Sequence, residues 1–251
     1  MEKKSIQEIL QPQYSYRTVE DKIFFIDPPS DVKIHYRPKE RWSSWRKANF
    51  AFYEEYLKNV PSGKLLDIGA GQTEFKDLLL KYDYIGLDFY PHEHVQIITD
   101  ITKQLPVKDG SVDIIILSNV LEHTPEPELL VKECLRTLKA GGLLLGTVPF
   151  LGVVHQGPYD FYRYTNYMLE RFLSNFSSYK VMPLGKMFDV NKTFTTVFFN
   201  NIYRIQPSLG RKLLFKVIWK IIRLLNSLAF SISPFSSTNE YTEGYGFRAV
   251  K

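Results

Sequence analysis

Between Lys64 and Pro149 the chain alternates short apolar runs with stretches whose apolar residues recur at helical spacing. KLLDIG (64–69) predicts a buried strand, and TEFKDLLLKY (73–82) a helix. YIGLD (84–88) and HVQIITD (94–100) read as the second and third strands. VDIIILSN (112–119), continuous and β-branched after the turn residues Asp109-Gly110-Ser111, is the clearest strand. EPELLVKECLRTLK (126–139) predicts a helix with Leu129, Leu130, Cys134, Leu135 and Leu138 on one face, stopped by Ala140-Gly141-Gly142. GLLLGTVPF (142–150) is the next strand. Thr165 stands where it would cap a helix over 166–173 (NYMLERFL), and TEGYGFRAVK (242–251) supplies the last strand. Strands alternating with helices imply a doubly wound α/β core, a mostly parallel sheet with helices on both faces.

Residues 1–59 form a different region, dense in aromatics and turned at Asp27-Pro28-Pro29-Ser30, with one helix expected over Glu40–Lys58. It reads as a cap packed on the sheet or as a lid over a ligand. Residues 60–251 form the main domain, within which 186–240 is expected to be an insertion before the last strand.

Composition narrows the class. Of 251 residues, 44% are hydrophobic and 24% charged, the mix of a soluble globular protein. The single cysteine, Cys134, excludes an internal disulfide and any multi-cysteine metal site, and no metal-ligand set is singled out. The first thirty residues hold no apolar run of signal-peptide length, which predicts a cytoplasmic chain. The net charge of +5 is local. Lys192, Arg204, Arg211, Lys212, Lys216, Lys220 and Arg223 fall in a segment without Asp or Glu, and the rest of the chain carries −2. A nucleic-acid-binding domain would carry cations along its main face, so that partner is disfavoured.

In doubly wound folds ligands sit at the carboxyl ends of the strands. The first predicted strand ends in Asp67-Ile68-Gly69-Ala70-Gly71, whose glycines allow a sharp turn and close approach to a ligand. A dinucleotide fingerprint would place a third glycine at position 74, where Glu74 would repel a diphosphate. The spacing instead suits a nucleoside without phosphates that carries a cationic group held by Asp67. Asp88 closes the second strand, where it can accept from both ribose hydroxyls, and Asp100 closes the third, where it can accept from an adenine amine.

LLDIGAGQTEF, YIGLDFYP, ITDITKQLPVKDGSVDIIILSNVLEHTPEP and LRTLKAGGLLLGTVPF together resemble class I S-adenosylmethionine-dependent methyltransferases, in the bacterial branch with LEH after the fourth strand. The resemblance covers roughly residues 60–182. It implies a Rossmann-like, mostly parallel seven-stranded sheet and S-adenosyl-L-methionine as cofactor. It places Asp67, Gly69, Ala70 and Gly71 along the methionine and ribose, Asp88 on the ribose hydroxyls and Phe89 beside adenine. Asp100 and Ile101 would address the adenine edge, and Asn119 would lie beneath the sulfonium. Thr73 stands where the family often has another glycine.

Two histidines are candidate general bases, since imidazole titrates near neutrality. His123 follows the fourth strand beside Glu122, a pair that could equally brace the loop before Pro125. His155 begins the His-x-x-Pro-x-Asp-x-x-Arg-Tyr-Thr pattern, in which Asp160 and Arg163 read as a brace. Further on, GRKLLFKVIWKIIRLLNSLAF (210–230) places Lys212, Lys216, Lys220 and Arg223 on one helical stripe with apolar residues around it. Such a helix lies in a membrane interface or docks on protein, and embedded cations argue against a span.

The expected function is methyl transfer from S-adenosylmethionine to a small-molecule, glycan or amphipathic lipid-linked acceptor. The protein would be cytoplasmic or peripheral at the inner face of the membrane through 208–231, with a homodimer left open. The alternatives are a non-catalytic nucleoside-binding scaffold and a nucleic-acid methyltransferase. Ser118-Asn119-Val120-Leu121 lacks the Pro-Pro-aromatic motif of base N-methylation.

Overall fold

The structure is a computed structural model and describes residues 3–28, 42–72, 75–205, 208–232 and 240–251. Thr73, Glu74, Pro29, Ser30 and parts of the 186–240 segment, on which some of the expectations above fall, lie outside the described residues.

Helix α1 (Lys3–Ile9) is followed by a hairpin of β1 (Arg17–Val19) and β2 (Lys22–Phe24), then α2 (Ser44–Leu57). The core follows as β3 (Lys64–Ile68), α3 (Lys76–Leu79), β4 (Asp83–Asp88), β5 (Ile97–Ile98) and β6 (Val112–Ser118). A 3-10 turn (Leu121–His123), α4 (Pro127–Thr137), β7 (Leu138–Pro149), α5 (Asn166–Leu173) and β8 (Ser178–Leu184) come next. Helices α6 (Met187–Ile205) and α7 (Leu209–Ile232) precede the last strand, β9 (Gly244–Val250).

These strands form one nine-stranded sheet in the order β1-β2-β5-β4-β3-β6-β7-β9-β8. Pairing is parallel from β2 to β7, while β9 runs antiparallel to both β7 and β8. The seven strands from β5 to β8 are the expected sheet. The two extra ones come from the amino-terminal region, which extends the sheet edge as a hairpin instead of only covering a face.

Residues of β6 alternate between two cores, which is why the strand reads as a continuous apolar run. Ile115 and Leu117 pack with Leu130, Cys134 and Leu169 from α4 and α5. Ile114 and Ile116 pack on the other face with Phe52, Tyr53 and Leu57 of α2.

Three local expectations differ. The third strand shortens to Ile97–Ile98; before it, the Gln96 N–H still donates to the Gly86 carbonyl at 2.9 Å, but the Gly86 N–H donates to the side-chain Oε1 of Gln96 at 2.7 Å instead of to a backbone carbonyl. Ala140-Gly141-Gly142 lies inside β7 as an irregularity, with Gly141 at φ +75°, and α4 already ends at Thr137 where Leu138 turns extended. Thr165 holds the N-cap position of α5, but it is exposed and its hydroxyl makes no capping bond.

Candidate functional site

The carboxyl ends of β3, β4 and β6 meet at the centre of the sheet. Asp67, inside β3, is buried, and its Oδ2 accepts from the Tyr84 hydroxyl at 3.0 Å. Burial, reinforced by the charge of Asp88, pushes its carboxyl up to about 7. Among the described residues no cation pairs with this carboxylate, and burial without a counter-charge raises a carboxyl in this way. Beyond Ile68 the chain turns through Gly69 (φ +70°) and Gly71 (φ +52°). A Cβ on Gly69 would meet Val120 Cγ2 at 2.5 Å, so the turn stays bare for lack of room as well as for its backbone.

Asp88 closes β4. Its Oδ2 accepts from the Gly71 N–H at 2.8 Å and its Oδ1 from the Tyr90 N–H at 2.9 Å. A carboxylate has about four acceptor positions, so the bonds from described residues leave two of them open. Phe89 is half-buried beside Tyr90, and Ala70 is buried with its N–H on Leu87. Ile101 packs against the core edge. Asp100 turns one oxygen to Thr102, accepting from its N–H and hydroxyl at 3.0 and 2.7 Å. Partial burial works to raise its carboxyl, but those bonds and nearby Lys103 hold it below the usual range.

The donor set fits S-adenosylmethionine on these observations: a buried carboxylate that no described cation pairs, a bare turn, and a second acid with acceptor positions that described residues leave open.

Asn119 follows β6 in the left-handed region, at φ +55°. Its Oδ1 accepts from Trp45 Nε1 at 3.0 Å and its Nδ2 donates to Asn49 Oδ1 at 3.1 Å. Asn49 Oδ1 also accepts from the Thr147 hydroxyl, which lies 3.2 Å from the fully buried Tyr53 hydroxyl. Helix α2 therefore reaches the strand end through Trp45 and Asn49. These residues were not singled out in the sequence, where the only signal was the density of aromatics in residues 1–59.

A second group stands beyond β6 and β7. His123 and His155 lie with ring centroids 4.9 Å apart, edge to face. His123 Nδ1 is 2.6 Å from the Tyr159 carbonyl oxygen. Burial pulls its imidazole below the ordinary value. Arg163 grips Asp160 with two bonds of 2.6 and 2.8 Å, and Asp160 also accepts from the His155 N–H at 2.7 Å. That clamp, with the His155 contacts, holds the Asp160 carboxyl far below its usual range. The expected brace thus fixes His155. Glu122 is fully buried, neither carboxylate oxygen has a hydrogen-bond partner among the described residues, and burial lifts it to about 8.

The last segment forms a helical pair. No described residue of α6 or α7 is buried, and no described helix is long and apolar enough to cross a membrane. Leu213, Leu214, Val217, Ile221, Leu224 and Leu225 are all exposed. Lys212 and Lys216 lie over the Tyr203 ring and Arg223 over Trp219. Glu243 ties the pair to the core, accepting from Thr193 on α6 at 2.8 Å and from Ser44 on α2 at 3.1 Å.

Residues 66–146 match the family described as "Methyltransferase domain". A probable S-adenosylmethionine-dependent methyltransferase of Mycolicibacterium smegmatis is 28% identical over 118 residues, which are 42% of this chain and 45% of the relative. An uncharacterized methyltransferase of Mycobacterium sp. (strain KMS) is 34% identical over 103 residues, 36% of this chain and 41% of the relative. The chain spans about half the length of the curated relatives it matches. Among solved structures, a SAM-dependent methyltransferase from Archaeoglobus fulgidus shares the fold, with a TM-score of 0.52 at 20% identity over 82% of this chain and 92% of that one.

Proposed function

We propose that this chain, which carries a class I S-adenosylmethionine-dependent methyltransferase domain, transfers a methyl group to an amphipathic acceptor, lipid-linked or glycan-bearing, at a membrane surface. The observation that carries the transfer is the pair of acidic strand ends, Asp67 and Asp88, on either side of the bare Gly69–Gly71 turn. When bound, the cofactor supplies an electrophilic methyl on a sulfonium. Asp67 binds its amine, Asp88 its ribose, and Phe89, Asp100 and Ile101 border its adenine. Asn119, held by Trp45 and Asn49, lies under the reacting end. His123 and His155 face the acceptor, where one nitrogen can take the proton of a hydroxyl nucleophile. Rate comes chiefly from holding the acceptor near attack distance.

The acceptor class rests on the α6–α7 pair. Leu213, Leu214, Val217, Ile221 and Leu224 make an apolar surface interrupted by Lys212, Lys216, Lys220 and Arg223. That composition suits an interfacial helix on anionic lipid, at the inner face of the cytoplasmic membrane. A nucleic-acid acceptor is disfavoured, since the cations gather on this pair and not on the strand ends.

The test is transfer of labelled methyl from S-adenosylmethionine into a total membrane lipid extract, with soluble glycans and RNA as parallel arms. Label in the lipid arm supports the acceptor assignment. Label confined to soluble glycans or to RNA would reject the membrane part, and no label in any arm would favour a nucleoside-binding scaffold.

A further inference from the structure

The sequence pointed to no metal, yet the fold gathers three ligand-type side chains from two distant segments. Glu122 and His123 come from the 3-10 turn after β6, and His155 from the loop after β7. One donor atom of each lies within 4.8 Å of those of the other two, and His123 Nε2 is 3.9 Å from Glu122 Oε1. We propose that Glu122, His123 and His155 bind a divalent transition-metal ion of the zinc type.

The argument is one of unmet chemistry. Both Glu122 oxygens and His123 Nε2 are buried and have no hydrogen-bond partner among the described residues. The Arg163 guanidinium acts on Glu122 from a distance without bonding to it, and a buried carboxylate in that condition is costly unless a cation meets it directly. The outward nitrogens are already oriented. His123 Nδ1 donates to the Tyr159 carbonyl at 2.6 Å, leaving the lone pair on Nε2. His155 Nδ1 lies 3.4 Å from the Val153 carbonyl oxygen and 3.4 Å from an Arg163 guanidinium nitrogen, with Asp160 Oδ2 at 3.3 Å. Metal-binding histidines are held as His123 is, by a carbonyl or carboxylate on the second nitrogen.

Two imidazoles and one carboxylate suit zinc, iron or cobalt better than magnesium or calcium, which prefer oxygen ligands alone. Three protein ligands also leave a coordination position open. Donors on a tetrahedral ion at ~2.1 Å stand about 3.4 Å apart, so the observed separations close by modest side-chain rotation. His155 is partly exposed, which leaves the open position towards solvent and the acceptor. Resting on the methyl-transfer reading, and with the imidazoles acting as ligands in place of a base, the ion would bind an acceptor hydroxyl and lower its pKa, so that its proton is lost to solvent and the oxygen attacks the methyl carbon as the carbon–sulfur bond breaks and S-adenosylhomocysteine leaves.

The experiment is calorimetric titration of the chelator-treated full chain with Zn2+, and absorption spectroscopy with Co2+, for the wild type and the variants Glu122→Gln, His123→Ala and His155→Ala. Circular dichroism confirms folding of each. One Zn2+ per chain is expected, with affinity falling in every variant by at least the ~10–100-fold typical of lost outer-shell partners. Asp160→Asn, which touches only the support of His155, is expected to fall in that same range. Absence of binding by the folded wild type, or equal binding by all variants, would overturn the site. S-adenosylhomocysteine is titrated into the same metal-free protein. Its binding without metal binding removes this proposal alone, whereas metal binding without it keeps the ion site and removes the acceptor role.

Discussion

Trp45 Nε1 donates to Asn119 Oδ1 across 3.0 Å, joining two residues 74 positions apart. The bond ties α2 to the end of β6 and fixes the side chain of Asn119, which stands at φ +55°, a backbone region that asparagine adopts more readily than most non-glycine residues. Trp45→Phe keeps the ring and removes the donor. Its expected cost is about 1 kcal/mol, read as a lower melting temperature, with affinity for S-adenosylhomocysteine falling up to ~10-fold. Unchanged affinity would mean that Asn119 is not positioned through α2.

Asp67 makes stability depend on pH. Its carboxyl is raised from 3.8 to about 7 in the fold, chiefly by burial. The contribution is therefore fully present below pH ~4 and lost as pH rises through about 7. Asp67→Asn removes that loss and is expected to stabilise the ligand-free protein at pH 8 by a few kcal/mol, while weakening S-adenosylhomocysteine binding. In the wild type the ligand's amine favours the ionised carboxylate, so affinity falls towards ~10-fold per pH unit as pH drops below 7. Thermal melts and titrations at pH 5, 6, 7 and 8 check both, and a flat affinity profile would remove Asp67 from the amine site.

Gly69→Ala combines a disfavoured backbone, φ +70°, with a contact at 2.5 Å against Val120. A loss above about 1 kcal/mol is expected, measured by denaturant unfolding. The double variant Gly69→Ala with Val120→Ala relieves the contact but not the backbone, so it is expected to recover only part.

Replacing Lys212, Lys216 and Lys220 by Glu on α7 leaves the core untouched. Binding to phosphatidylglycerol-containing vesicles is expected to weaken by at least ~1 kcal/mol per position, with little change on neutral phosphatidylcholine. Sedimentation with vesicles reads it. Equal loss on both surfaces, or none, would leave α7 as a helix that packs on protein.

The central strands and the glycine turn were legible because their signals are local: apolar runs, a glycine pair, and acids at strand ends. The β1–β2 hairpin was not, since Arg17–Val19 and Lys22–Phe24 are three residues each and find their place only when β2 pairs with Ile97 and Ile98 and β1 folds back on β2. Trp45 and Asn49 were hidden among the aromatics of the first sixty residues, because what matters is their contact with Asn119. The histidines were visible singly. That His155 returns to within 4.9 Å of His123 depends on the Asp160–Arg163 clamp, which no spacing rule supplies.

The cofactor site is tested most directly by calorimetric titration of S-adenosylhomocysteine into the wild type and Asp88→Ala. Micromolar binding is expected for the wild type. The variant is expected to bind on the order of 100-fold more weakly, because two hydrogen bonds to a charged acceptor are lost. Equal affinity in the two proteins, or no binding by a folded wild type with vesicles present, would contradict the assignment of the acidic strand ends.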